Sequence, residues 1–398
     1  MLLYIHFPFC ISKCHYCAFH SLPLDFIANF DYHKSKTKQL SLHSSQTLQV
    51  YINTLFKELE KWKDLYSHKK IETIFFGGGT PSLLPPQVIE NLLDYIAKNF
   101  TLKQGLEISL EANPDTLQSK STLQDIYKAG INRLSIGLQS LDTYYLKLLG
   151  RSHSVKHSLM AIEQAHMVGF ENISIDLMWG LPSQDLGHWL KTLEQAVLMP
   201  VKHISAYSLT LEDNTKLMDS VKAGQLQLSD EQNQAEMFLQ GTKLLEEYGF
   251  KQYEISNYAQ SGYICKHNLG YWQGVDYLGL GPSATSTMEG NRWTNSYEHE
   301  EWEKQVYEPN FAKNTLKKAS ILTKEERKLE FIMLSLRTAQ GLNLYDYNKL
   351  TNCDFTVEYE GLINALLKDK LININNTHIN LTKRGMLVSN SILEYFLT

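Results

Sequence analysis

The sequence predicts an α/β protein: a parallel sheet, closed or half-closed into a barrel, followed by a mainly helical, winged-helix-like module. Three observations predict this fold class. Short β-rich runs alternate with longer amphipathic stretches up to about residue 256. Several of these runs are apolar on both faces, as in parallel strands that helices cover. Beyond about residue 320, helical patterns and one hairpin replace the alternation.

The alternation gives the elements of the barrel in order. Strands are predicted at LLYIHF (2–7), IETIFF (71–76), LEISLEA (106–112), RLSIGLQ (133–139), NISIDLMW (172–179), HISAYSLT (203–210) and KQYEIS (251–256). Helices are predicted near 48–66, 86–99, 117–129, 155–168, 186–198 and 229–248. Barrels of repeated βα units place their chemistry at the carboxyl ends of the strands. Polar residues that follow these strands are therefore candidates for a functional site.

The pattern divides the chain into a barrel domain, 1–256, an irregular connecting region, 257–319, and a C-terminal domain, 320–398. The connecting region shows weak periodicity and is rich in Gly, Asn and aromatic residues. Thr323, with Glu326 three residues later, has the capping-box pattern of a helix start. Shorter helices near 343–350 and 356–369, a hairpin turning at Asn375–Asn376 and a last helix complete the predicted module.

Composition and charge restrict the class of protein. The 398 residues are 43% hydrophobic and 20% charged, which is ordinary for a globular protein with a sizeable core. The net charge of −5 disfavours a nucleic-acid partner, which would favour a basic patch. Because the sequence shows neither a membrane-span pattern nor a secretory signal, the predicted compartment is the cytoplasm, where thiols stay reduced. The five cysteines are therefore expected to be metal ligands or buried residues.

Three cysteines lie close together in FCISKCHYC, directly after the first predicted strand: Cys10, Cys14 and Cys17. Thiolates are the usual ligands of iron–sulfur clusters, which four cysteines normally close. Since Phe19 stands two residues after the third cysteine, a cluster on this triad leaves one iron open for an exchangeable ligand. The alternative is a structural zinc site with a fourth ligand among His6, His15 and His20. The position at a strand end favours the cluster.

A run of three glycines, Gly77–Gly79, follows the second predicted strand and continues as Thr80–Pro81. Glycines allow backbone to approach a ligand closely and adopt φ angles that other residues resist. A simple tight βα turn would need the same residues. The run therefore indicates a ligand-binding loop only in combination with the cysteine triad.

The cysteine spacing, with Tyr16 before the last cysteine, resembles the radical-SAM superfamily. Within it, the chain is similar to the family of HemN, the oxygen-independent coproporphyrinogen oxidase, and its relative HemW, a haem chaperone. The similarity runs from Tyr4 to the C-terminal module and so covers nearly the whole chain. It implies a partial (β/α)6 TIM-like barrel, a 4Fe–4S cluster on the three cysteines and S-adenosylmethionine on the open iron.

The resemblance also implies which residues contact S-adenosylmethionine. Gly78, Gly79 and Thr80 match the loop that grips its methionine amino group. Polar residues in SLEANP, SIGLQS, LGRSH and SIDLMWGLP match the nucleotide-binding pattern in the family's order: Glu111, Gln139, Arg151 and Asp176. Tyr4 and Tyr16 match positions beside the cluster and its ligand, and Thr285 matches a position just past GLGPSA. Taken singly, each of these residues could equally be a solvated or structural polar group.

Two functions are open within the family. An oxidase would cleave S-adenosylmethionine reductively, and the resulting radical would abstract hydrogen from the propionates of coproporphyrinogen III. A carrier would bind haem on the same scaffold and pass it to acceptor haemoproteins. Acceptors bound to a membrane would be reached if the carrier docks peripherally on that membrane. A radical enzyme acting on RNA is a third hypothesis, which the charge disfavours. A homodimer also fits the family.

Three features favour the carrier. The oxidases continue the cysteine motif with a fourth cysteine, where this chain has Phe19. They also carry a long N-terminal extension before the position of Tyr4, whereas Tyr4 here lies three residues after Met1. The segment HNLGYW (267–272) matches the HNxxYW pattern that marks the haem-chaperone branch. His267 is then the candidate haem-iron ligand, with Cys265 as the alternative attachment point. Whether S-adenosylmethionine is cleaved or only holds the cluster closed stays open at this level.

Overall fold

The computed structural model describes residues 1–23 and 42–397. The chain divides into two compact units, each built from three separate stretches. The first unit comprises Met1–Ile175, Thr210–Gln225 and Asp276–Ser320. The second comprises Asp176–Leu209, Leu226–Val275 and Ile321–Thr398. Neither unit is therefore a single continuous segment of sequence.

The strands in chain order are β1 (Leu2–Phe7), β2 (Phe9–Cys10), β3 (Leu22–Pro23), β4 (Ile71–Gly78), β5 (Leu102–Ala112), β6 (Arg133–Gln139), β7 (Asn172–Trp179), β8 (His203–Ser208), β9 (Lys251–Gln252), β10 (Asn257–Ala259), β11 (Tyr277–Leu280), β12 (Thr285–Met288), β13 (Asn291–Thr294), β14 (Ser320–Ile321), β15 (Leu342–Asn343), β16 (Ile372–Ile374) and β17 (His378–Leu381). The predicted barrel strands are confirmed, although the last of them shortens to the two residues of β9.

The helices are α1 (Leu42–Tyr66), α2 (Pro86–Asn99), α3 (Lys120–Lys128), α4 (Thr143–Leu148), α5 (Val155–Val168), α6 (Leu186–Ala196), α7 (Lys216–Lys222), α8 (Glu231–Glu247), α9 (Lys266–Trp272), α10 (His299–Tyr307), α11 (Phe311–Lys318), α12 (Lys324–Leu336), α13 (Leu344–Thr351), α14 (Phe355–Glu358), α15 (Glu360–Lys368), α16 (Lys383–Leu387) and α17 (Ser389–Leu397). Helices α2 and α5 have the predicted bounds. None of the helices in the described part of the chain is both long enough and apolar enough to span a membrane.

The sheet of the first unit places β1 in its interior. Its strand order runs β13-β12-β11-β1-β4-β5-β6. Strand β1 pairs in parallel with β4 on one side and with β11 on the other, and β4, β5 and β6 are also parallel to one another. The carboxyl ends of these strands therefore meet at one edge of the sheet, where β1 leads into the cysteine triad. This arrangement confirms the predicted α/β class with a parallel core.

The second unit contains β7 from Asp176 onward and the strands β8-β10-β9, with β10 antiparallel to both of its neighbours. It also contains the C-terminal module, in which helices accompany a three-stranded sheet of order β15-β17-β16. The capping box of Thr323 and Glu326 is present at the start of α12. The hairpin β16–β17 turns at Asn375, whose Oδ1 accepts hydrogen bonds from the backbone N–H of Thr377 and His378. The predicted helical module with a small hairpin is thus confirmed.

The segment 257–319, which the sequence predicts to be irregular, contains regular elements. Strands β10 to β13 and helices α9 to α11 lie within it. The strands are only three or four residues long, so they are too short to produce a detectable period-2 pattern. Pairing with neighbouring strands in the sheet, such as that of β11 with β1 and of β12 with β13, defines them.

Candidate functional site

The cysteine segment of the first unit is held by hydrogen bonds to two later parts of the chain. All three thiols, Cys10, Cys14 and Cys17, are partly buried. The backbone N–H of His15 donates to the carbonyl of Leu149 at 3.0 Å, and its Nδ1 lies 3.0 Å from the carbonyl of Leu148. The N–H of Leu217 donates to the carbonyl of His15 at 2.9 Å. The end of α4 and the start of α7 therefore hold the segment in place.

Burial and a nearby cation act in opposite directions on the protonation of the cysteine thiols. Burial raises the pKa of the Cys10 and Cys17 thiols, and neighbouring thiols of the triad raise it further. Arg151 Nη1 lies 3.3 Å from Cys14 Sγ, so a guanidinium cation is available to stabilise a thiolate. Three soft donors beside a fixed cation suit an iron–sulfur cluster, whose binding displaces the thiol protons.

The zinc alternative depends on a fourth ligand among three histidines, His6, His15 and His20. Within residues 1–23 and 42–397, no three His, Cys, Asp or Glu side chains are grouped so as to hold a metal ion, the three cysteines included, so this finding does not separate zinc from an iron–sulfur cluster. Of the histidines proposed as a fourth ligand, His15 uses Nδ1 on the Leu148 carbonyl, and His6 uses both ring nitrogens in hydrogen bonds. Two of the three candidate histidines are therefore already engaged.

The glycine loop lies directly against the cysteine segment. The N–H of Gly79 donates to the carbonyl of Phe7 at 2.7 Å. A Cβ added to Gly79 would lie 2.5 Å from the Phe9 carbonyl oxygen and 3.0 Å from Cys10 Sγ. Gly78 has a φ of +111°, and its N–H donates to Glu111 Oε2 at 3.2 Å. The close approach of β2 therefore requires glycine at position 79, and the positive φ favours glycine at position 78.

A chain of hydrogen bonds joins the glycine loop to Arg151. Thr80 Oγ1 lies 3.6 Å from Cys10 Sγ and accepts a hydrogen bond from Asn113 Nδ2 at 3.1 Å. Asn113 Oδ1 accepts from Arg151 Nη2 at 2.6 Å, and the same nitrogen donates to the carbonyl of Gly137 at 2.8 Å. Sequence analysis missed Asn113, although it lies two residues after Glu111 in the same SLEANP motif. Its side-chain amide therefore links Thr80, which follows β4, to Arg151, which follows α4.

Tyr4 is oriented by a histidine in the same strand. Its hydroxyl lies 3.1 Å from His6 Nδ1, and His6 Nε2 lies 3.2 Å from the carbonyl oxygen of His20. Because a carbonyl can only accept, Nε2 carries the proton and Nδ1 accepts from the tyrosine. Burial lowers the pKa of His6 to about 4, so the imidazole is neutral at physiological pH. The Tyr4 hydroxyl is thus held with a defined orientation.

Gln139 shows backbone strain at the end of β6. Its φ is +66°, in the left-handed region that non-glycine residues rarely occupy, and its side chain is buried. Such conformations cost about 1–3 kcal/mol and cluster at functional sites. The strain is consistent with a role for Gln139 in the site.

Most residues that the family resemblance assigns to S-adenosylmethionine come together in the first unit. The following lie along the contacts just described or next to them: Tyr4, Gly78, Gly79, Thr80, Glu111, Gln139 and Arg151. Tyr16 lies within the cysteine segment itself. Thr285 begins β12, and its hydroxyl pairs with that of Thr294 at 2.9 Å. Asp176 lies in β7 and belongs to the second unit. Their contacts with S-adenosylmethionine all stay predictions.

The haem-motif residues lie on helix α9 of the second unit. Cys265 is its N-cap and is fully buried, with Sγ 3.5 Å from the N–H of Asn268. His267 is only 1% exposed, and its Nε2 lies 3.2 Å from the Tyr271 hydroxyl. Helix α9 packs against α12 of the C-terminal module. Iron ligation by His267 stays a prediction, and ligation through Nε2 would require Tyr271 to release that nitrogen.

Replacing Arg151 by methionine should accelerate the loss of iron from the reconstituted protein to a chelator by about tenfold. The substitution keeps the aliphatic stem but removes the cation 3.3 Å from Cys14 Sγ. Hydrogen bonds to charged groups contribute about 1.5–3 kcal/mol, which corresponds to roughly that factor or more. Lys147→Met, on the exposed side of α4, is the matched control. Equal rates for Arg151→Met and wild type would show that Arg151 does not stabilise the thiolates.

Two segments of the chain match known domain families. Residues 4–196 match the radical SAM superfamily, and residues 322–388 match the HemN C-terminal domain. The first match covers the cysteine segment and the glycine loop. The second begins just before the capping box of α12.

Several relatives resemble the chain along its full length. It is 31% identical over 396 residues to heme chaperone HemW of Lactococcus lactis, covering 99% of this chain and 96% of that protein. It is 33% identical over 401 residues to heme chaperone HemW of Bacillus subtilis, covering 99% and 98%. It is also 39% identical over 282 residues to the zebrafish mitochondrial radical S-adenosyl methionine domain-containing protein 1, but spans only 59% of that protein's length.

A solved structure has the same fold. The coproporphyrinogen III oxidase HemN of Escherichia coli superposes with a TM-score of 0.80 at 22% sequence identity, covering 100% of this chain and 90% of that one. At this identity the likeness establishes the fold alone. The predicted radical-SAM fold with a helical C-terminal region is therefore confirmed.

Proposed function

Because the chain belongs to the HemW family of the radical SAM superfamily, we propose that it is a haem chaperone, which binds haem and transfers it to acceptor haemoproteins. The full-length identity of 31–33% to HemW proteins carries this proposal. The position two residues after Cys17 supports it, since Phe19 there cannot supply the fourth thiol that the oxidases carry. Its side chain is 72% exposed, so it does not form part of the apolar core.

The proposal includes a 4Fe–4S cluster on the cysteine triad and S-adenosylmethionine at the adjoining strand ends. When bound together, these groups supply reductive radical chemistry in the superfamily. The chain's own residues would position them: Arg151 stabilises the Cys14 thiolate, and Glu111 fixes the backbone of Gly78. The Tyr4 hydroxyl donates its hydrogen bond to His6 Nδ1, so its oxygen is left as an acceptor. The alternative function is an oxygen-independent coproporphyrinogen III oxidase, which would use the same groups for catalysis.

The proposed haem ligand is His267 on α9. Neutral imidazole is the commonest proximal ligand of haem iron, and the Tyr271 hydroxyl now occupies Nε2. Haem binding would therefore exchange that hydrogen bond for a bond to iron. The C-terminal module packs on this helix through α12. A shift of α9 on haem binding would therefore be passed to the module.

Haem titration of the purified protein tests the proposal. Wild type should bind about one haem, His267→Ala should bind at least tenfold more weakly, and Tyr271→Phe should bind as tightly or more tightly, because it frees Nε2. His166→Ala, an exposed histidine on α5, should match wild type. If His267→Ala binds haem as tightly as wild type, the carrier function stands and Cys265 becomes the next candidate for the haem attachment point.

An anaerobic assay on the same preparation separates the two functions. Reconstituted protein with S-adenosylmethionine, a reductant and coproporphyrinogen III should give no vinyl-bearing product. Product formation that depends on S-adenosylmethionine would replace the carrier with the oxidase. A wild-type protein that binds no haem and forms no product would refute both.

A further inference from the structure

Helix α1 contains a carboxylate that the functions described so far do not use. Glu58 is fully buried, at 0% exposure. Its Oε2 accepts hydrogen bonds from the N–H of Gly281 at 2.8 Å and from Trp302 Nε1 at 3.2 Å, and its Oε1 accepts from Asn295 Nδ2 at 2.7 Å. Buried ionisable groups are costly unless such donors satisfy them. The arrangement therefore joins α1 to three separate later segments of the first unit.

These contacts fix one turn of backbone, Gly281–Ala284, between β11 and β12. Asn295 Nδ2 also donates to the carbonyl of Gly281 at 2.8 Å, so both polar backbone groups of this glycine are bound. The N–H of Asn295 donates to the carbonyl of Ala284 at 2.9 Å. Gly281 has a φ of +96°, which a side chain would disfavour. Glu58 and Asn295 thus set the position of the turn.

The turn lies against the end of β1. Strands β1 and β11 pair with Ile5 opposite Leu280, so Gly281 lies beside His6. A Cβ on Gly281 would be 2.5 Å from the His6 carbonyl oxygen, which leaves no room for the turn to move inward. Tyr51, also on α1, donates its hydroxyl to the same carbonyl at 2.7 Å. Helix α1 therefore fixes the backbone of His6 both directly and through the turn.

His6 in turn supports the glycine loop. Its imidazole fills the space beneath Gly78, where an added Cβ would lie 2.7 Å from two ring atoms. The same ring orients the Tyr4 hydroxyl. A displacement of the Gly281 turn would thus be transmitted to Gly78 and Tyr4, two candidate contacts of S-adenosylmethionine.

We propose that Glu58 is a positioning residue for the S-adenosylmethionine site, acting through the Gly281 turn and His6 on the glycine loop. This inference rests on the proposed function only in assigning that ligand to the loop. Glutamine is a poor substitute, because its amide NH2 would face N–H donors where the carboxyl group offers an acceptor oxygen on each side. The substitution Glu58→Gln therefore changes hydrogen bonding with little change in volume.

Isothermal titration of S-adenosylmethionine into anaerobically reconstituted Glu58→Gln tests the inference. Iron per chain should equal that of wild type, while the Kd for S-adenosylmethionine should rise about tenfold, the factor expected for the loss of a buried hydrogen bond. The change that the ligand produces in the EPR spectrum of the reduced cluster should weaken in parallel. The control is Glu60→Gln on the same helix, an exposed residue paired with Lys57, which should match wild type.

The outcomes separate positioning from simple stabilisation. A lowered Tm with an unchanged Kd, measured well below the transition, would make Glu58 structural only and overturn the inference. If Glu58→Gln does not fold, Trp302→Phe removes one donor while keeping an aromatic ring, and a Kd equal to wild type there would overturn it as well. Failure of the wild type to bind S-adenosylmethionine would instead overturn the assigned ligand together with this inference.

Discussion

Replacement of Cys10, Cys14 or Cys17 by alanine is expected to abolish assembly of an oxygen-sensitive 4Fe–4S cluster. Each of the three thiols is partly buried, and a cluster with only three protein ligands has no spare thiolate to compensate. Iron and sulfide per chain, together with visible absorbance after anaerobic reconstitution, measure the loss. Binding of S-adenosylmethionine should be lost with the cluster.

Cys353→Ala is the control for this series. Cys353 is an exposed thiol near the end of α13 in the second unit, and its removal should leave the iron content unchanged. A triple variant that still reconstitutes to the wild-type iron content would place the cluster elsewhere. A series in which only one of the three cysteines matters would favour a different metal centre.

Gly79→Val is expected to abolish both the cluster and the binding of S-adenosylmethionine. The glycine run by itself predicts only that a ligand loses its close approach to the backbone, with the cluster intact. The structure predicts more, because a Cβ at this position would lie 2.5 Å from the Phe9 carbonyl oxygen and 3.0 Å from Cys10 Sγ. Either the glycine loop or the segment that carries Cys10 must move. Iron per chain and calorimetric titration of S-adenosylmethionine measure the two effects.

Gly361→Val, in α15 of the second unit, is the matched control. A Cβ there meets no atom within 4 Å, and valine is no poorer a helix former than glycine, so the substitution should leave the fold intact. If Gly79→Val retains its cluster but loses S-adenosylmethionine, the loop contacts the ligand but does not support Cys10. If both are retained, the glycine loop is not part of the site.

Much of the fold could be predicted because its determinants are local. The apolar run 2–7 and its counterparts specify buried strands, and the helices α2 and α5 have the bounds that their periodicity predicts. The capping box at Thr323 and the turn at Asn375 each depend on residues no more than three positions apart. The cysteine triad is equally local, and the family resemblance that it first indicates is confirmed along the full chain.

The sequence did not indicate which residues support the site. Asn113 became evident only when its amide was found between Thr80 and Arg151. The motif HNLGYW does not indicate whether His267 is exposed, whereas tertiary packing buries it beside Tyr271. In both cases the residue type fitted several roles, and its neighbours decided among them.

The sequence by itself determined the alternating βα elements, the cysteine triad, the glycine loop and the family. Only the tertiary structure decided that β11 lies beside β1 and that Glu58 holds the turn after it. The hydrogen bond from Gly281 to Glu58 joins residues 223 positions apart. No local pattern specifies such a contact, because it forms only when distant segments close onto one sheet and a buried carboxylate must find its donors there.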